Sequence, residues 1–543
     1  MYDLFPTLAG PASQWTAHFE RIAAMGFDWV YVNPIHETGG SGSLYAVRDY
    51  YRLSSEIRGD DPRADDDIVS SFVAAAQSRG LRVMRDLVIN HTANDAPLID
   101  EHRSWYLLDE AGTPVAPSAV DASAPGGVAV WGDLAELDYT ERSERNQIVS
   151  YFSDVVRHYV GLGVDGFRCD AAYKIPGVVW SDIIAAGRAT REATTFAAET
   201  LGCSLEQVSL LADAGFDYLF NSSKWWDFES PWLLDQYESF RHIAPSIAFP
   251  ESHDTARLVT ELATLPEREI ETAYRFRYLF AAFFSAGVMM PMGYEYGFSK
   301  KLDVVSTRPD DWETPRFDLS AFIADVNAMK AALPALNEEG AQRSIAAGGA
   351  MVLVRGAVTS RDVAVAAFNA DPTTDVELDP AIVTDALDGA ARDVTPHAAE
   401  KRDLSERPRL SLGPLEFRVF TKKKKKKQQP DANGSPGAKS SANVGPVVIE
   451  NVTPQIDGGR HAVKRVVGDV LTVEADVFRD GHDAIAAVLL YRERNGTHWR
   501  EAPFEAIPND RRRGRFGLDR IADYEYTIEA WPDAFATWRH DVE

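Results

Sequence analysis

Short apolar runs alternate with amphipathic segments from Tyr2 to about Leu333. This alternation is typical of repeated βα units, in which each strand of a parallel sheet is covered by the helix that follows it. Six of the apolar runs are interpreted as strands: DWVYVNP, LRVMRDLVIN, VDGFRCD, TTFAAE, FDYLFN and GVMMPMG. In a chain of 543 residues this pattern predicts an α/β fold, with a (β/α)8 TIM barrel over residues 1–340.

Four further regions are predicted besides the barrel. A stretch rich in Gly, Pro, Ala and Ser indicates a small inserted subdomain after the third strand, at residues 92–139. Between residues 345 and 421 the apolar period changes to two, which predicts a C-terminal β-sandwich. A run of lysines opens a polar linker over residues 422–445, and a second β-sandwich is expected at residues 446–543.

The net charge of −26 restricts the partners that the chain can bind. Nucleic acid or an anionic membrane needs a basic surface, so neither is expected, and the lysine run is interpreted as solvated linker. Two cysteines, Cys169 and Cys203, cannot form a disulfide framework, and no secretory signal or long apolar span is evident. We therefore expect a cytoplasmic protein that acts on a neutral ligand.

Four short motifs follow one another at predicted strand ends. They are DLVINH at Asp86–His91, GFRCD at Gly166–Asp170, FAAET at Phe196–Thr200 and ESHD at Glu251–Asp254. In a barrel of this kind, active sites lie at the carboxyl-terminal rim, where these motifs fall. Residues two apart on a strand share a face, so Arg168 and Asp170 are expected to point inward while Cys169 faces the helices.

Three carboxylic acids in these motifs match the chemistry of a retaining glycosidase. Two carboxyl groups cleave a glycosidic bond, and one of them attacks the anomeric carbon. Asp170 is the expected nucleophile because Arg168 would keep it ionised. Glu199 is the expected acid and base, because its apolar neighbours would raise its pKa, and Asp254 would hold the sugar hydroxyls in the transition state. Singly, each is more often a cap or salt-bridge partner, but the ordered set favours catalysis.

Through these motifs, residues 2–421 resemble the α-amylase family of retaining α-glucosidic hydrolases and transglycosylases. SLYAVRDYY extends the resemblance, because Tyr45 and Asp49 keep the family's spacing after the second strand. The resemblance implies that Tyr45 stacks on the sugar in the cleaved position. It also implies that His91 and His253 hydrogen-bond the hydroxyls of that sugar.

The same resemblance assigns the remaining residues of the rim. Arg168 and Lys174 are grouped with the substrate-binding residues, whereas Asp49, Asp86 and Asn90 are expected to brace the rim. Asn90 could also give one oxygen to calcium, as in many relatives. Calcium requires six to eight oxygens, so no cofactor and no metal is the favoured expectation.

Two positions depart from typical members of the family. Ile175 replaces a histidine that often grips longer glucans, and Ser252 stands where many members carry asparagine. Both departures favour short oligosaccharides or a transfer reaction over cleavage of long polymers.

Two groups of hydrophobic side chains are expected to pack. Aromatic clusters in loops are more often packed than exposed. A packing role is therefore favoured over a sugar-stacking platform for four loop aromatics: Trp225, Trp226, Phe228 and Trp232. Three methionines are interpreted as barrel core: Met289, Met290 and Met292.

Residues 446–543 resemble a narrower group, the N-terminal β-sandwich of maltosyltransferases that extend α-1,4-glucan from maltose 1-phosphate. The likeness lies in VVIENVTPQIDGGRHAVKRVVGD and YEYTIEAWPDAFATWRHDVE. In those enzymes the sandwich precedes its own catalytic barrel, which differs after the nucleophile from the Ala-Ala-Tyr found here. We therefore expect the chain to be part of a longer two-enzyme fusion.

Three functions remain open at this point. The favoured one is hydrolysis or transglycosylation of α-1,4-linked glucans and maltooligosaccharides. A maltosyl or glucan transferase tied to maltose 1-phosphate is the alternative, because water and a sugar hydroxyl attack the same intermediate. A non-catalytic glucan-binding subunit is disfavoured by the presence of all three carboxyl groups. Besides the glucan, a second copy bound through the C-terminal sandwich is a candidate partner.

Overall fold

The computed structural model divides into two units, residues 1–426 and 427–543. It describes residues 1–120, 128–398, 404, 409–423, 447–456, 462–479, 484–494, 496, 499–507, 510–533, 536–537 and 539. Residues 424–445 of the predicted linker and residues 121–127 of the predicted insertion lie outside the described residues.

Eight parallel strands close into a barrel in the first unit. In chain order they are Tyr2–Leu4, Trp29–Val32, Arg82–Leu87, Gly166–Cys169, Thr195–Ala198, Tyr218–Phe220, Ser246–Ala248 and an eighth in two pieces, Gly287–Val288 and Met290–Pro291. The eighth strand completes the ring because Val288 pairs with Ala248 of the seventh strand and Met290 pairs with Tyr2 of the first. The predicted (β/α)8 barrel is confirmed.

Helices lie in the connections that follow the barrel strands, and the longer ones cover the outside of the barrel. They are Pro6–Ala9, Trp15–Ala24, Ser55–Arg58, Asp65–Gln77, Pro97–Glu101, Arg142–Gly161, Gly177–Thr190, Leu205–Ser209, Trp232–Phe240, Leu258–Glu261, Glu267–Phe284, Ser320–Ala331 and Pro334–Asn337. In the helix Trp15–Ala24, Trp15, Phe19 and Ile22 recur at helical spacing and are fully buried. They belong to the same core as Phe167 and Cys169, which face outward from the fourth strand.

A second, smaller core fills the inside of the barrel. Its buried members are Trp29, Tyr31, Met84, Ala197, Phe220, Ile247, Phe249 and Met289. Of the three methionines predicted as barrel core, only Met289 points inward. Met290 and Met292 pack in the core between strands and helices, because neighbouring residues of a strand face opposite sides.

Two antiparallel pairs build the segment after the third strand. His91–Ala93 pairs with Leu134–Glu136, and Ser118–Val120 pairs with Val128–Val130. A separate pair, His36–Thr38 with Val47–Leu53, follows the second strand. Both segments leave the barrel at its carboxyl-terminal rim, which is the side of the candidate site.

The C-terminal sandwich of the first unit has a five-stranded and a two-stranded sheet. The large sheet contains Gln342–Ala347, Ala350–Gly356, Val363–Phe368, Phe417–Lys422 and Ala391–Asp393, and the small one Val376–Leu378 and Leu410–Leu412, with the helix Pro380–Ala386 beside them. A buried ion pair joins this sandwich to the barrel: Arg355 donates to Phe283 O at 2.7 Å and to Glu339, which accepts from Ser246 N at 3.0 Å. Backbone partners on both sides offset the cost of burying these charges.

The second unit is a six-stranded antiparallel sheet. Its strands are Val448–Thr453, Val470–Phe478, Arg511–Gly517, Arg500–Ile507, Ile485–Glu493 and Tyr524–Pro532, given in spatial order. Alternate residues of the strand Val470–Phe478 are buried, including Leu471, Val473 and Ala475, as the period of two predicts. The predicted second sandwich is confirmed.

Close contact between the fourth and fifth strands requires glycine at position 166. A Cβ added to Gly166 would lie 2.6 Å from Thr195 O, whereas one added to Gly161, at the end of a helix, would contact nothing within 4 Å. We expect Gly166→Ala to destabilise the barrel by about 1–3 kcal/mol through overpacking. Gly161→Ala should be neutral or stabilise the protein by up to about 1 kcal/mol, since alanine favours helix. Thermal unfolding midpoints measure both, and equal midpoints for the two variants would contradict this packing.

Candidate active site

The Arg168 guanidinium bridges two carboxylates inside the barrel. Its Nη1 donates to Asp170 Oδ1 at 2.6 Å and to Asp86 Oδ1 at 3.0 Å. Arg168 pairs with Asp86 across the third and fourth strands, so the register places both side chains on the inner face. The side chain of Asp170 is 13% exposed and that of Asp86 is fully buried, so Asp170 is the one that a ligand can reach.

Asp86 is enclosed by hydrogen-bond donors. Besides Arg168, its Oδ2 accepts from the hydroxyls of Tyr31 at 2.5 Å and Tyr45 at 2.8 Å. Burial raises the pKa of the Asp86 carboxyl above its usual range, and the Arg168 charge opposes that shift. These contacts hold Asp86 in a bracing position behind Asp170.

Glu199 directly follows the fifth strand and is buried beside the fourth. Its Oε2 accepts from Ala171 N at 2.8 Å, and its Oε1 accepts from Leu201 N at 2.7 Å. Burial raises the pKa of Glu199 to about 7, Arg168 opposes this, and the Asp170 charge adds to it. A carboxyl group with this pKa can give and take a proton near neutrality.

His253 connects carboxylates on two sides of the barrel rim. Its Nδ1 lies 2.9 Å from Asp3 Oδ2, and its Nε2 lies 3.1 Å from Asp254 Oδ2 and 2.8 Å from the Tyr45 hydroxyl. Desolvation raises the pKa of Asp254, but the charges of His253 and Arg168 outweigh it and lower that pKa to about 2. Asp254 is therefore an anion, and its side chain is 57% exposed toward the cleft.

His91 presents a hydrogen-bond acceptor to the site. Its Nε2 lies 3.1 Å from Tyr45 O, a carbonyl that can only accept, so Nε2 carries the proton. Burial lowers the pKa of His91, and the ring is neutral. Its Nδ1 is buried without a hydrogen-bond partner among the described residues, so it is an unused acceptor.

Three other predicted site residues lie apart from this group or are engaged elsewhere. Asp49 accepts from Tyr51 N at 2.8 Å. Asn90 Oδ1 is buried and has no hydrogen-bond partner among the described residues. The Lys174 ammonium donates to Ser118 O at 3.0 Å and lies 5.4 Å from the ring centre of Trp131, so here it binds the inserted segment.

No set of three or more His, Cys, Asp or Glu side chains within the described ranges is arranged to hold a metal ion. Asn90 brings an amide oxygen to the rim, without a cluster of carboxylates around it. The same part of the chain has no helix with the length and apolar content of a membrane span.

The loop aromatics divide between packing and exposure. Trp226 and Phe228 are buried against Phe280. Trp225 is 50% exposed and meets Phe249, which follows the seventh strand, edge to face. Trp225 and the partly exposed Trp232 are therefore the two members of this group that a ligand can reach.

The sequence analysis missed three residues that line this network. The Asn33 amide donates to the hydroxyls of Tyr31 and Tyr45. Asp3 Oδ2 lies 2.9 Å from His253 Nδ1. Trp29, Tyr31 and Asn33 are spaced two residues apart in DWVYVN and share a face, which is a signal for the inner side of the barrel. The first strand has three residues, too few for its period to mark Asp3.

Sequence profiles of two families match parts of the chain. Residues 445–543 match the family described as alpha-1,4-glucan:maltose-1-phosphate maltosyltransferase, domain N/S. Residues 2–111 match the one described as glycogen debranching enzyme, glucanotransferase domain. The predicted resemblance of the second sandwich to a maltosyltransferase domain is confirmed.

Individual relatives agree with these matches. The alpha-1,4-glucan:maltose-1-phosphate maltosyltransferase of Burkholderia pseudomallei is 30% identical over 565 residues, which cover 99% of this chain and 48% of that protein. The enzyme of the same name from Myxococcus xanthus is 51% identical over 104 residues, 18% of this chain and 16% of that protein. The chain thus spans about half the length of the first relative.

A solved structure confirms the α-amylase fold. An alpha-amylase from Lactobacillus plantarum superposes with a TM-score of 0.61 at 19% identity, over 77% of this chain and 97% of that one. The superposed share of 77% of the chain is about the size of the first unit. This agrees with the predicted resemblance of residues 2–421 to the α-amylase family.

The raised pKa of Glu199 predicts a pH-dependent cost to stability. The unfolded side chain ionises near 4.5 and the folded one near 7, so the folded state loses stability as pH rises between these values. The shift corresponds to roughly 3 kcal/mol. Glu199→Gln should therefore gain stability relative to the native protein from about pH 5 to pH 8.

Unfolding midpoints of the two proteins across this pH range measure the effect. Glu206→Gln, at an exposed helical position, is the matched control and should follow the native protein at every pH. A constant difference between Glu199→Gln and the native protein would contradict the raised pKa.

Proposed function

We propose that this chain is a retaining α-glucosidic enzyme that acts on α-1,4-linked glucans and maltooligosaccharides through a covalent glycosyl-enzyme intermediate. The observation that carries the proposal is a pair of neighbouring carboxyl groups in different surroundings. Asp170 is hydrogen-bonded to Arg168 at 2.6 Å, whereas burial raises the pKa of Glu199 to about 7. Such a division between nucleophile and acid is the requirement of this reaction.

In the first step, an Asp170 oxygen forms a bond to the anomeric carbon while the glycosidic bond breaks. Glu199 gives its proton to the leaving oxygen, so the departing sugar leaves as a neutral alcohol. Arg168 holds Asp170 by its Oδ1, which leaves Oδ2 for attack. Ala171 N and Leu201 N, which donate to Glu199, then stabilise the carboxylate that this proton transfer creates.

In the second step, Glu199 takes a proton from the incoming hydroxyl group. The oxygen of that group bonds to the anomeric carbon, and the bond to Asp170 breaks. Two inversions return the α configuration. Water gives hydrolysis and a sugar hydroxyl gives transfer, and the same three carboxyl groups serve both.

Asp254 and the two histidines are proposed to hold the sugar at the reacting position. Asp254 is an exposed anion whose carboxylate can accept hydrogen bonds from sugar hydroxyls, and His91 Nδ1 is a buried acceptor without a partner among the described residues. The Tyr45 ring is proposed as the surface on which the sugar stacks. Hydrogen bonds of this kind promote the reaction when they strengthen as the ring flattens in the transition state.

Maltosyl transfer is the second candidate function. It is supported by the maltosyltransferase relative that aligns with 99% of this chain and by the domain N/S match at residues 445–543. In that reaction the Asp170 intermediate is a maltosyl ester, and the acceptor is the end of an α-1,4-glucan. The glucanotransferase match at residues 2–111 also favours a sugar acceptor over water.

We expect Asp170→Asn to lower kcat on maltooligosaccharides by roughly three to four orders of magnitude, because an amide cannot form the ester intermediate. Asp182→Asn makes the same chemical change on an exposed position of the helix Gly177–Thr190 and should retain native kcat. The initial products, read by proton NMR, should be α anomers. Near-native turnover by Asp170→Asn, or an initial β product, would overturn the assignment.

The acceptor is identified by supplying donor and acceptor separately. Native protein is incubated with maltoheptaose alone, with maltose 1-phosphate alone, and with both, and products are separated by chain length. A maltosyl transferase should release phosphate and lengthen maltoheptaose by two glucose units only when both are present. Shorter products from maltoheptaose alone, with no phosphate release, would instead assign hydrolysis or disproportionation.

Two further proposals concern the setting of the enzyme. A cytoplasmic location is supported by the presence of only two cysteines in the sequence, and fractionation of cells that make the protein tests it. A homodimer through the C-terminal sandwich is the second, and sedimentation of the full chain measures its mass.

A further inference from the structure

One carboxylate of the site comes from a strand that carries none of the four motifs. Asp3 is the middle residue of the first strand and is fully buried. It pairs with Tyr31 of the second strand and with Pro291 of the eighth. Its neighbours Tyr2 and Leu4 pack toward the helices, so Asp3 points into the barrel.

Asp3 reaches the substrate side of the barrel through one histidine. Its Oδ2 lies 2.9 Å from His253 Nδ1, and the far nitrogen of the same ring, Nε2, lies 3.1 Å from Asp254 Oδ2. Carboxylate oxygens only accept hydrogen bonds, so the ring can satisfy both acids only when both nitrogens carry protons. The Tyr45 hydroxyl, 2.8 Å from Nε2, donates its own proton to Asp86 and therefore also accepts from the ring.

We propose that Asp3 is a positioning residue of this active site, which holds His253 as an imidazolium whose Nε2–H fixes Asp254 against the sugar. The inference rests on the proposed glycosidic function. Asp254 is 57% exposed, and a carboxylate so open to water would rotate freely without a charged donor on one oxygen. With Oδ2 held by His253, Oδ1 remains for a sugar hydroxyl.

Asp3 also balances charge around the ring. Asp3 faces the Nδ1 side of the His253 ring, and Asp254 and Tyr45 face the Nε2 side. The Tyr31 ring lies 6.1 Å from the His253 ring, measured between ring centres. Burial lowers the pKa of His253, but the Asp254 and Asp3 charges outweigh it and raise that pKa well above its usual value. Removing the Asp3 charge therefore lowers the pKa, and the ring loses its second proton at a lower pH.

Three variants of the full chain separate charge from geometry. Asp3→Asn keeps an oxygen that can accept from Nδ1 but removes the charge, and Asp3→Ala removes both. Tyr2→Phe is the control, because it changes the same strand at a hydroxyl that donates to Glu295 on the helix side. Each protein carries 13C-labelled histidine, and His253→Gln identifies the His253 signal.

We expect Asp3→Asn to lower the titration midpoint of the His253 ring by at least about one pH unit, with no change in Tyr2→Phe. Relative to the native protein, its kcat/KM on maltooligosaccharides should fall at least about tenfold at a pH above its own lowered ring midpoint, and less than about threefold at a pH one unit or more below that midpoint. Asp3→Ala should lose activity at both pH values, since its ring has no anchor.

A folded Asp3→Asn protein whose His253 midpoint equals the native one would overturn the inference. So would a loss of kcat/KM of the same size at both pH values, which a purely structural role would produce. The ring titration needs no turnover. If the native protein acts on no glucan, the proposed function fails, while the midpoint still decides whether Asp3 charges His253.

Discussion

The buried ion pairs of Arg168 with two carboxylates are the interaction on which the site depends. A guanidinium inside a barrel is tolerated only when acids surround it, and Asp86 and Asp170 meet it at 3.0 and 2.6 Å. The two tyrosine hydroxyls that donate to Asp86 fix the deeper acid, so Arg168 has one permitted position. Because Arg168 is fixed, Asp170 is oriented before any substrate arrives, which lowers the reorganisation needed in the reaction.

Neighbouring charges set two acids of the site apart. Glu199 is enclosed and its pKa is about 7, whereas Asp254 lies open to the cleft beside an imidazolium and its pKa is about 2. Both belong to the same few strand ends, so the difference comes from neighbours and solvent and not from residue type. One acid is thereby ready to move a proton while another remains a stable anion.

Much of this arrangement could be predicted from the sequence, because strand alternation is a strong constraint. On the fourth strand it placed Arg168 and Asp170 inside and Cys169 outside, as the structure has them. It failed where a period cannot be read: the first strand is three residues long, so Asp3 has no visible pattern. Lys174 shows another limit, since its contacts with Ser118 and Trp131 depend on how a long inserted segment folds back. Such long-range contacts leave no local signal.

The split eighth strand has a consequence for how the protein reaches its working state. Tyr2 and Met290 become neighbours only when the two ends of the barrel meet, a contact between residues almost three hundred positions apart. Asp3 belongs to that seam and contacts His253, so the set of charges around His253 is complete only after closure. Contacts of such sequence separation are slow to form because a long loop must be ordered first. Chains that have not yet closed the barrel therefore lack a complete site.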